Sequence, residues 1–144
     1  MKYNNEISSD KCCVLNLGIH LSAPHLFINN HKLDVVPQAR DLGILVSDSL
    51  SPTAHVLDTV SKAHRRAKLI LRTFTSQDIG LLIGAYVVYV RSLVKHNSIV
   101  LSPYTIKDIE TSECVQRRFT KYLRGYSNYS YLERLRCLEL HREP

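Results

Sequence analysis

Two groups of Lys and Arg residues form the part of this sequence that could do chemistry. Many of them recur at intervals of three or four residues, which places the charges on the outer faces of helices. Cationic groups at that spacing neutralise phosphates, and Arg can contact them in bidentate fashion. The 144-residue chain has a formal net charge of +6, which also favours an anionic partner. We therefore predict a nucleic-acid interface formed by Lys62, Arg65, Arg66, Lys68, Arg72, Arg117, Arg118, Lys121 and Arg124. The alternative is a charged face that contacts only solvent.

The sequence has no residue pattern typical of a catalytic site. No two acidic residues are adjacent anywhere in the chain, although polymerases need carboxylates that together hold two Mg²⁺ ions. No GxSxG motif occurs, and no cysteine lies within a catalytic signature. We therefore predict no catalytic residue, metal site or cofactor in this chain.

The four cysteines bear on the cellular compartment. Cys12 and Cys13 are adjacent, while Cys114 and Cys137 are isolated. This arrangement, without a CxxC pair, favours neither a disulfide framework nor a zinc module. It predicts a reducing intracellular compartment, the cytoplasm or the nucleus.

The first fifty residues have the pattern of short strands. We predict one strand at Lys11–Leu17 and a hairpin made by His25–Ile28 and Lys32–Val36. The two Asn residues between its arms tolerate the left-handed conformations of a tight turn. Arg40–Val46 is predicted to be a further strand, with an internal Gly that is typical of a bulge.

The longest apolar run, Gln77–Val100, predicts a central helix. At 100° per residue its apolar side chains cover most of the circumference, and a narrow stripe with Arg91 and Lys95 is the main gap. A helix that is apolar nearly all round is expected to be buried. We predict Ser76 as its N-cap and Ser102-Pro103 as its end. The two cations interrupt the ~20 apolar residues that a membrane span needs, so we predict no membrane association.

Three further helices flank this run. Ser51 and Pro52 are typical of a helix start, and the first helix is predicted to continue to Phe74. Another helix is predicted from Thr105 to Gly125, and the last from Ser130 to Leu140. The predicted apolar face of the helix that begins at Thr105 comprises Ile109, Val115, Phe119, Tyr122 and Leu123.

These patterns predict an α+β protein, with a short N-terminal β-meander or hairpin followed by a three- to four-helix bundle. We predict three regions: strands at 1–50, a helical bundle at 51–125, and a C-terminal helix with its tail at 126–144.

Five stretches of this chain have counterparts in one protein family, in the same order. The five together are a more specific match than any one of them alone. They are Ser8–Gly18, Arg40–Val56 (which begins RDLG), Ala85–Tyr104, Asp108–Gly125 (which contains VQRRFTK) and Tyr131–Leu140. In this order they resemble the distal part of reverse transcriptases from non-LTR retrotransposons, in particular the Jockey-like group of LINE elements. Where that family has Pro, Glu, Tyr and Trp in one signature, this chain has Ser92, Lys95, His96 and Leu101. The substitutions are consistent with a decaying copy.

The resemblance implies the end of the palm, the primer grip and a thumb-like bundle of an RNA-directed DNA polymerase. It implies that the helices grip a template–primer duplex, RNA–DNA or DNA, while Mg²⁺ belongs to the intact polymerase. Arg40, Asp41, Leu42 and Gly43 would form part of the primer grip, where a Gly lets backbone approach the primer. We expect a non-catalytic fragment of a retrotransposon open reading frame.

Two other classes of function stay open. The chain could be a stand-alone basic module that binds nucleic acid, or an inert structural bundle that self-associates through exposed apolar surface. Tyr126, Tyr129 and Tyr131, with Arg124 and Arg134 nearby, also form a basic-aromatic pattern that could stack single-stranded bases. The competing interpretation is that Tyr131 begins the last helix and packs on Tyr122.

Overall fold

Short strands are followed by helices along the chain, so the protein is α+β as predicted. The computed structural model describes residues 8–18, 25–76, 78–95 and 105–141. The chain divides into two compact units, Met1–Ala54 and His55–Pro144. The strands lie in the first unit and the helical bundle lies in the second.

The described residues of the first unit contain six short strands in three two-stranded sheets, preceded by a 3₁₀ turn at Ser9–Lys11. The pairs β2–β3 and β5–β6 are antiparallel, whereas β1 and β4 pair in parallel. The strands are β1 (Cys13–Leu15), β2 (Phe27–Ile28), β3 (His31–Lys32), β4 (Asp34–Val36), β5 (Gln38–Asp41) and β6 (Ile44–Ser47).

The short N-terminal strands and hairpin are as predicted, but the parallel pairing of β1 with β4 was not predicted. The predicted strand Lys32–Val36 is divided at Leu33, which is buried and whose N–H donates to the carbonyl of Leu26 at 2.9 Å. On one side of Leu33 the chain pairs within a hairpin, and on the other side it pairs with β1. The hairpin itself is confirmed, because Asn29 and Asn30 both have the positive φ of a tight two-residue turn, 48° and 60°.

The segment Arg40–Val46 is a second hairpin and not the single bulged strand that we predicted. Leu42 and Gly43 have φ values of 47° and 88°, and Asp41 pairs with Ile44. Two successive residues in the left-handed region reverse the chain, so the Gly serves a turn. The Arg40 guanidinium closes the turn by donating to the carbonyl of Gly43 at 3.3 Å.

The second unit begins just after the start of the first helix. The described helical elements are α1 (Thr53–Thr73), α2 (Ile79–Tyr86), a π-helical segment (Val87–Arg91), α3 (Ser92–Lys95), α4 (Ile106–Lys121) and α5 (Tyr131–Cys137). The predicted cap of α4 is confirmed, since Thr105 Oγ1 accepts from the N–H of Asp108 at 3.1 Å. At α5, Ser130 and Glu133 form a complete capping box. None of the described helices is long and apolar enough to cross a bilayer.

The central helix differs from the prediction at its start and on its surface. Asp78 is the N-cap, and its Oδ1 accepts from the N–H of Gly80 at 2.9 Å, while Ser76 Oγ accepts from the N–H of Asp78. The carboxylate caps because it reaches a first-turn donor directly. The predicted end at Ser102-Pro103 lies outside the described residues.

Only one face of the central helix is buried, although we predicted burial nearly all round. Tyr86 and Val90 are fully buried, whereas Val88 and Tyr89 are each 59 % exposed. The described neighbours cover one side of the helix and leave an apolar surface on the other.

The core of the second unit is one cluster drawn from α1, α2, the π-helical segment and α4. Tyr86 and Phe119 stack at its centre, with ring centroids 4.5 Å apart and planes at 24°. The buried members are Val56, Val60, Ala63, Ala67, Ile70, Leu82, Ala85, Tyr86, Val90, Val115, Phe119 and Leu123.

We predict that Leu42→Asn stabilises the β5–β6 hairpin by about 1 kcal/mol, because the left-handed conformation is unfavourable for Leu and tolerated by Asn. Leu42 is 91 % exposed, so the substitution removes little buried surface. Hydrogen exchange of the hairpin amides should slow by about fivefold. Leu17→Asn is the control, since Leu17 is 57 % exposed without a positive φ. Unchanged or faster exchange in the Leu42 variant would contradict the prediction.

Candidate nucleic-acid interface

A groove of about 470 Å³ lies between α1 and α4. Its floor and walls are mostly apolar, and its rim is cationic. None of the described residues that line it carries a carboxylate. The lining residues are His64, Ala67, Lys68, Leu71, Arg72, Val115, Arg118, Phe119 and Tyr122.

Helix periodicity explains how the cations reach this groove. Lys68 and Arg72 are one turn apart on α1, and Lys68 directly follows Ala67, which is buried in the core. A residue that follows a core position lies about 100° round the helix, at the flank of the buried stripe. Arg118 has the equivalent place on α4, because it directly precedes the buried Phe119. Lys68 and Arg72 come from α1 and Arg118 comes from α4, so two segments far apart in sequence supply the cations of one groove.

The pKa of His64 depends on its surroundings in the groove. Its pKa is lowered from the ordinary histidine value, first by burial of the ring and second by the positive charge of Arg118. The neutral imidazole is therefore favoured while the groove holds only its own cations. An anion placed there would oppose the effect of Arg118.

The other predicted cations face elsewhere. Arg66 donates to the carbonyl of Tyr89 at 3.2 Å and so links α1 to the π-helical segment. Lys62 forms an ion pair with Asp58 on the same helix at 2.7 Å. Arg65, Lys121 and Arg124 are exposed but do not line the groove.

Arg117 faces α5 and not the groove. Its guanidinium carbon lies 4.9 Å from the centroid of the Tyr131 ring, and its Nη2 lies 3.5 Å from Glu113 Oε2. The predicted interface is thus divided, and Lys68, Arg72 and Arg118 are the residues that the groove brings together. Arg117 and Arg118 differ because neighbouring residues on a helix point about 100° apart.

A buried polar network joins α4 to α5, and sequence reasoning missed it. Arg134 is only 5 % exposed, and it donates to Thr120 Oγ1 at 3.2 Å and to the carbonyl of Tyr129 at 2.6 Å. Gln116 is fully buried, and its Nε2 donates to the carbonyl of His141 at 2.8 Å. A buried guanidinium needs such partners. Apart from its place among the leucines of α5, nothing in the sequence marks Arg134 as buried.

The network bears on the role of Tyr131, and the groove lining corrects the predicted role of Tyr122. Tyr131 begins α5 as predicted and faces the guanidinium groups of Arg117 and Arg134, whereas its predicted partner Tyr122 lines the groove. These contacts favour a packing role for Tyr131 over base stacking. Tyr122, predicted to lie on the apolar core face of α4, is 67 % exposed and lines the groove instead. Ile109 on the same predicted face is also partly exposed, at 37 %. The helix ends at Lys121, so Tyr122 lies just past its end.

The predicted primer-grip residues lie in the first unit, at the β5–β6 hairpin. Arg40 and Asp41 end β5, while Leu42 and Gly43 form the turn. No atom lies within 4 Å of the position that a Cβ on Gly43 would take. The Gly is therefore required by its backbone conformation and not by a close neighbour. Its proposed approach to a primer stays a prediction.

Within the described part of the chain, no group of three His, Cys, Asp or Glu residues could hold a metal ion. All four cysteines are free thiols. Comparisons of the chain with protein-family models, with curated proteins and with solved structures found no match. The resemblance to reverse transcriptases therefore depends on the motifs quoted above and stays a prediction.

Tyr131 gives the α4–α5 contact a testable pH dependence. Burial and the charge and hydrogen bond of Glu113 raise the pKa of Tyr131 to about 12. The fold favours the neutral phenol, so this stabilisation is complete below about pH 10, the unfolded value, and is lost as the pH rises toward 12. In urea unfolding, wild type should exceed Tyr131→Phe in stability by about 1 kcal/mol near pH 8.

The stability difference between wild type and Tyr131→Phe should shrink near pH 11, because only the wild type carries the phenol that must stay neutral. Tyr122→Phe is the control, since Tyr122 is exposed and lies outside the α4–α5 network. A difference for Tyr131→Phe that stays constant with pH would contradict the assignment.

Proposed function

We propose that this chain binds nucleic acid through its phosphate backbone, with the α1–α4 groove as the centre of the contact. The observation that carries the proposal is the convergence of Lys68 and Arg72 from α1 with Arg118 from α4. Three cations around one recess, without a carboxylate among the described lining residues, form a region of positive potential. Phosphate is the biological anion that such Arg and Lys groups bind well.

The resemblance extends this proposal to a parent enzyme. In a non-LTR reverse transcriptase, the helical unit would grip the template–primer duplex, and the β5–β6 hairpin would contact the primer end. Backbone contacts position a duplex without reading its sequence, which suits an enzyme that must copy any template. The alternative of a stand-alone nucleic-acid-binding module predicts the same groove and differs only in the protein to which the chain belongs.

The proposal predicts a steep salt dependence of duplex binding that depends on the groove cations. The affinity for a labelled blunt RNA–DNA duplex, measured by fluorescence anisotropy over a salt series, should fall steeply as salt rises. Each phosphate contact adds about 0.9 to the log–log slope. The triple variant Lys68→Ala, Arg72→Ala, Arg118→Ala should therefore lower the magnitude of that slope by roughly 2 to 3.

A matched control removes the same charge elsewhere on the surface. Lys32, Lys107 and Arg136 are exposed and lie outside the groove, so their triple Ala variant should largely retain the slope. Equal losses in both triple variants would mean that net charge acts alone, which overturns the role of the groove. Absence of binding at low salt would leave only an inert bundle.

Samples should be checked for self-association, because Leu81 and Val88 are exposed apolar residues.

The proposal also predicts that the purified chain does not synthesise DNA. With Mg²⁺, deoxynucleotides and a primed RNA template, incorporation should equal that of a heat-denatured sample, because no acidic pair provides the ligands for two metal ions. A bound duplex without synthesis supports a gripping role. Synthesis above background that persists through repeated purification would overturn the non-catalytic assignment.

A further inference from the structure

The α1–α4 groove has an apolar part that backbone phosphates alone would not fill. Phe119 and Leu123 are each 2 % exposed, whereas Tyr122 on the same stretch is 67 % exposed. Tyr122 lines the groove from one side, and Leu71 lines it from the other. An exposed aromatic ring at the edge of the core offers a flat apolar face that the chain itself leaves uncovered.

The interior of the groove is large enough for one small planar group, whereas a double helix would contact only the cations at its rim. A volume of about 470 Å³ lies within the range of roughly 300–1,000 Å³ that is usual for small-ligand pockets. In a duplex the bases are stacked inside, and the protein meets a convex surface of phosphate and sugar. In a single strand the bases can be splayed out and stacked on aromatic side chains.

We propose that the groove binds one unpaired nucleotide of the nucleic acid, an inference that rests on the proposed function. The base lies against Leu71 and Tyr122. Its phosphate lies among Lys68, Arg72 and Arg118.

Charge complementarity favours this occupant over an acidic peptide. Carboxylates would satisfy the cations but would leave the face of Tyr122 without a planar partner, whereas a nucleotide has a phosphate and a base on one unit. His64 shares the lining of the groove with Lys68 and Arg72 from α1, with Arg118 from α4 and with Tyr122 just past the end of α4. A phosphate beside it would oppose the charge of Arg118, which is the second cause that lowers its pKa.

The test compares two probes on the full chain. One probe is a labelled oligothymidylate, and the other is a blunt duplex with the same number of phosphates. Tyr122→Ala should weaken binding of the oligothymidylate by roughly tenfold, because one stacked base is lost. It should change binding of the blunt duplex by less than about twofold, since backbone contacts remain. Tyr122→Phe keeps the ring and should bind both probes like wild type.

Tyr89→Ala is the matched control for loss of an exposed tyrosine. Tyr89 is 59 % exposed and lies outside the groove, so its variant should bind both probes like wild type. Circular dichroism of each variant checks that the helices are intact.

His64 provides a second readout that does not depend on affinity. The NMR resonance that disappears in His64→Gln is assigned to His64 and titrated with and without each probe. Oligothymidylate should raise its pKa, and binding should tighten as the pH falls through the raised value. A pKa that does not change when oligothymidylate is bound would overturn the phosphate placement.

The outcomes separate this inference from the proposed function. If Tyr122→Ala binds both probes like wild type while the triple variant of Lys68, Arg72 and Arg118 weakens both, backbone binding stands and the nucleotide site falls. If Tyr122→Ala weakens both probes equally, or polyglutamate displaces the oligothymidylate at equal charge, the groove is a general polyanion surface and the nucleotide site also falls. If neither probe binds at low salt, both proposals fall.

Discussion

The stacking of Tyr86 against Phe119 is the contact on which the second unit depends. Both rings are almost completely buried, and their centroids lie 4.5 Å apart. Once Phe119 is fixed in the core, the rotation of α4 about its axis is fixed as well. Arg118 must then lie at one flank of the buried face, and Tyr122 must lie close to it. The placement of Arg118 and Tyr122 at the groove is thus a consequence of one packing contact.

The small residues of α1 determine the other side of the groove. Ala63 is fully buried and Ala67 is 5 % exposed, so this stretch of α1 contributes little side-chain volume to the core. The residue after Ala67 is Lys68, and Arg72 lies one turn further along the same flank. Arg66 lies on the opposite flank and donates to the carbonyl of Tyr89 instead. Residues of one chemical type therefore either line the groove or pack within the chain, according to their angular position on the helix.

The groove concentrates like charge beside apolar surface, which is unfavourable for the isolated chain. Lys68, Arg72 and Arg118 are exposed side chains of like charge around one groove, and like charges repel one another. The pKa of His64 is lowered first by burial of the ring and second by the charge of Arg118. By contrast, Arg134 and Arg117 in the α4–α5 contact have hydrogen-bond or aromatic partners within the chain. A concentration of like charge such as that in the groove is expected at functional sites, where a ligand supplies the opposite charge.

Local interactions are the part of this structure that the sequence by itself determined. The order of strands and helices, the turn at Asn29-Asn30, and the caps at Thr105 and Ser130 were all predictable, because each depends on residues within a few positions of one another. The turn at Leu42-Gly43 was missed, since Leu seldom adopts a positive φ and gave no signal of a hairpin. The basic faces of α1 and α4 were also predictable from helical spacing.

Tertiary structure alone decided which of those residues act together. It paired β1 with β4 in parallel, buried Arg134, exposed Tyr122, and brought Lys68 and Arg118 to one groove. Each of these outcomes depends on a partner many residues away in the chain. The helical pattern specifies the face on which a side chain lies, but only packing specifies what that face meets.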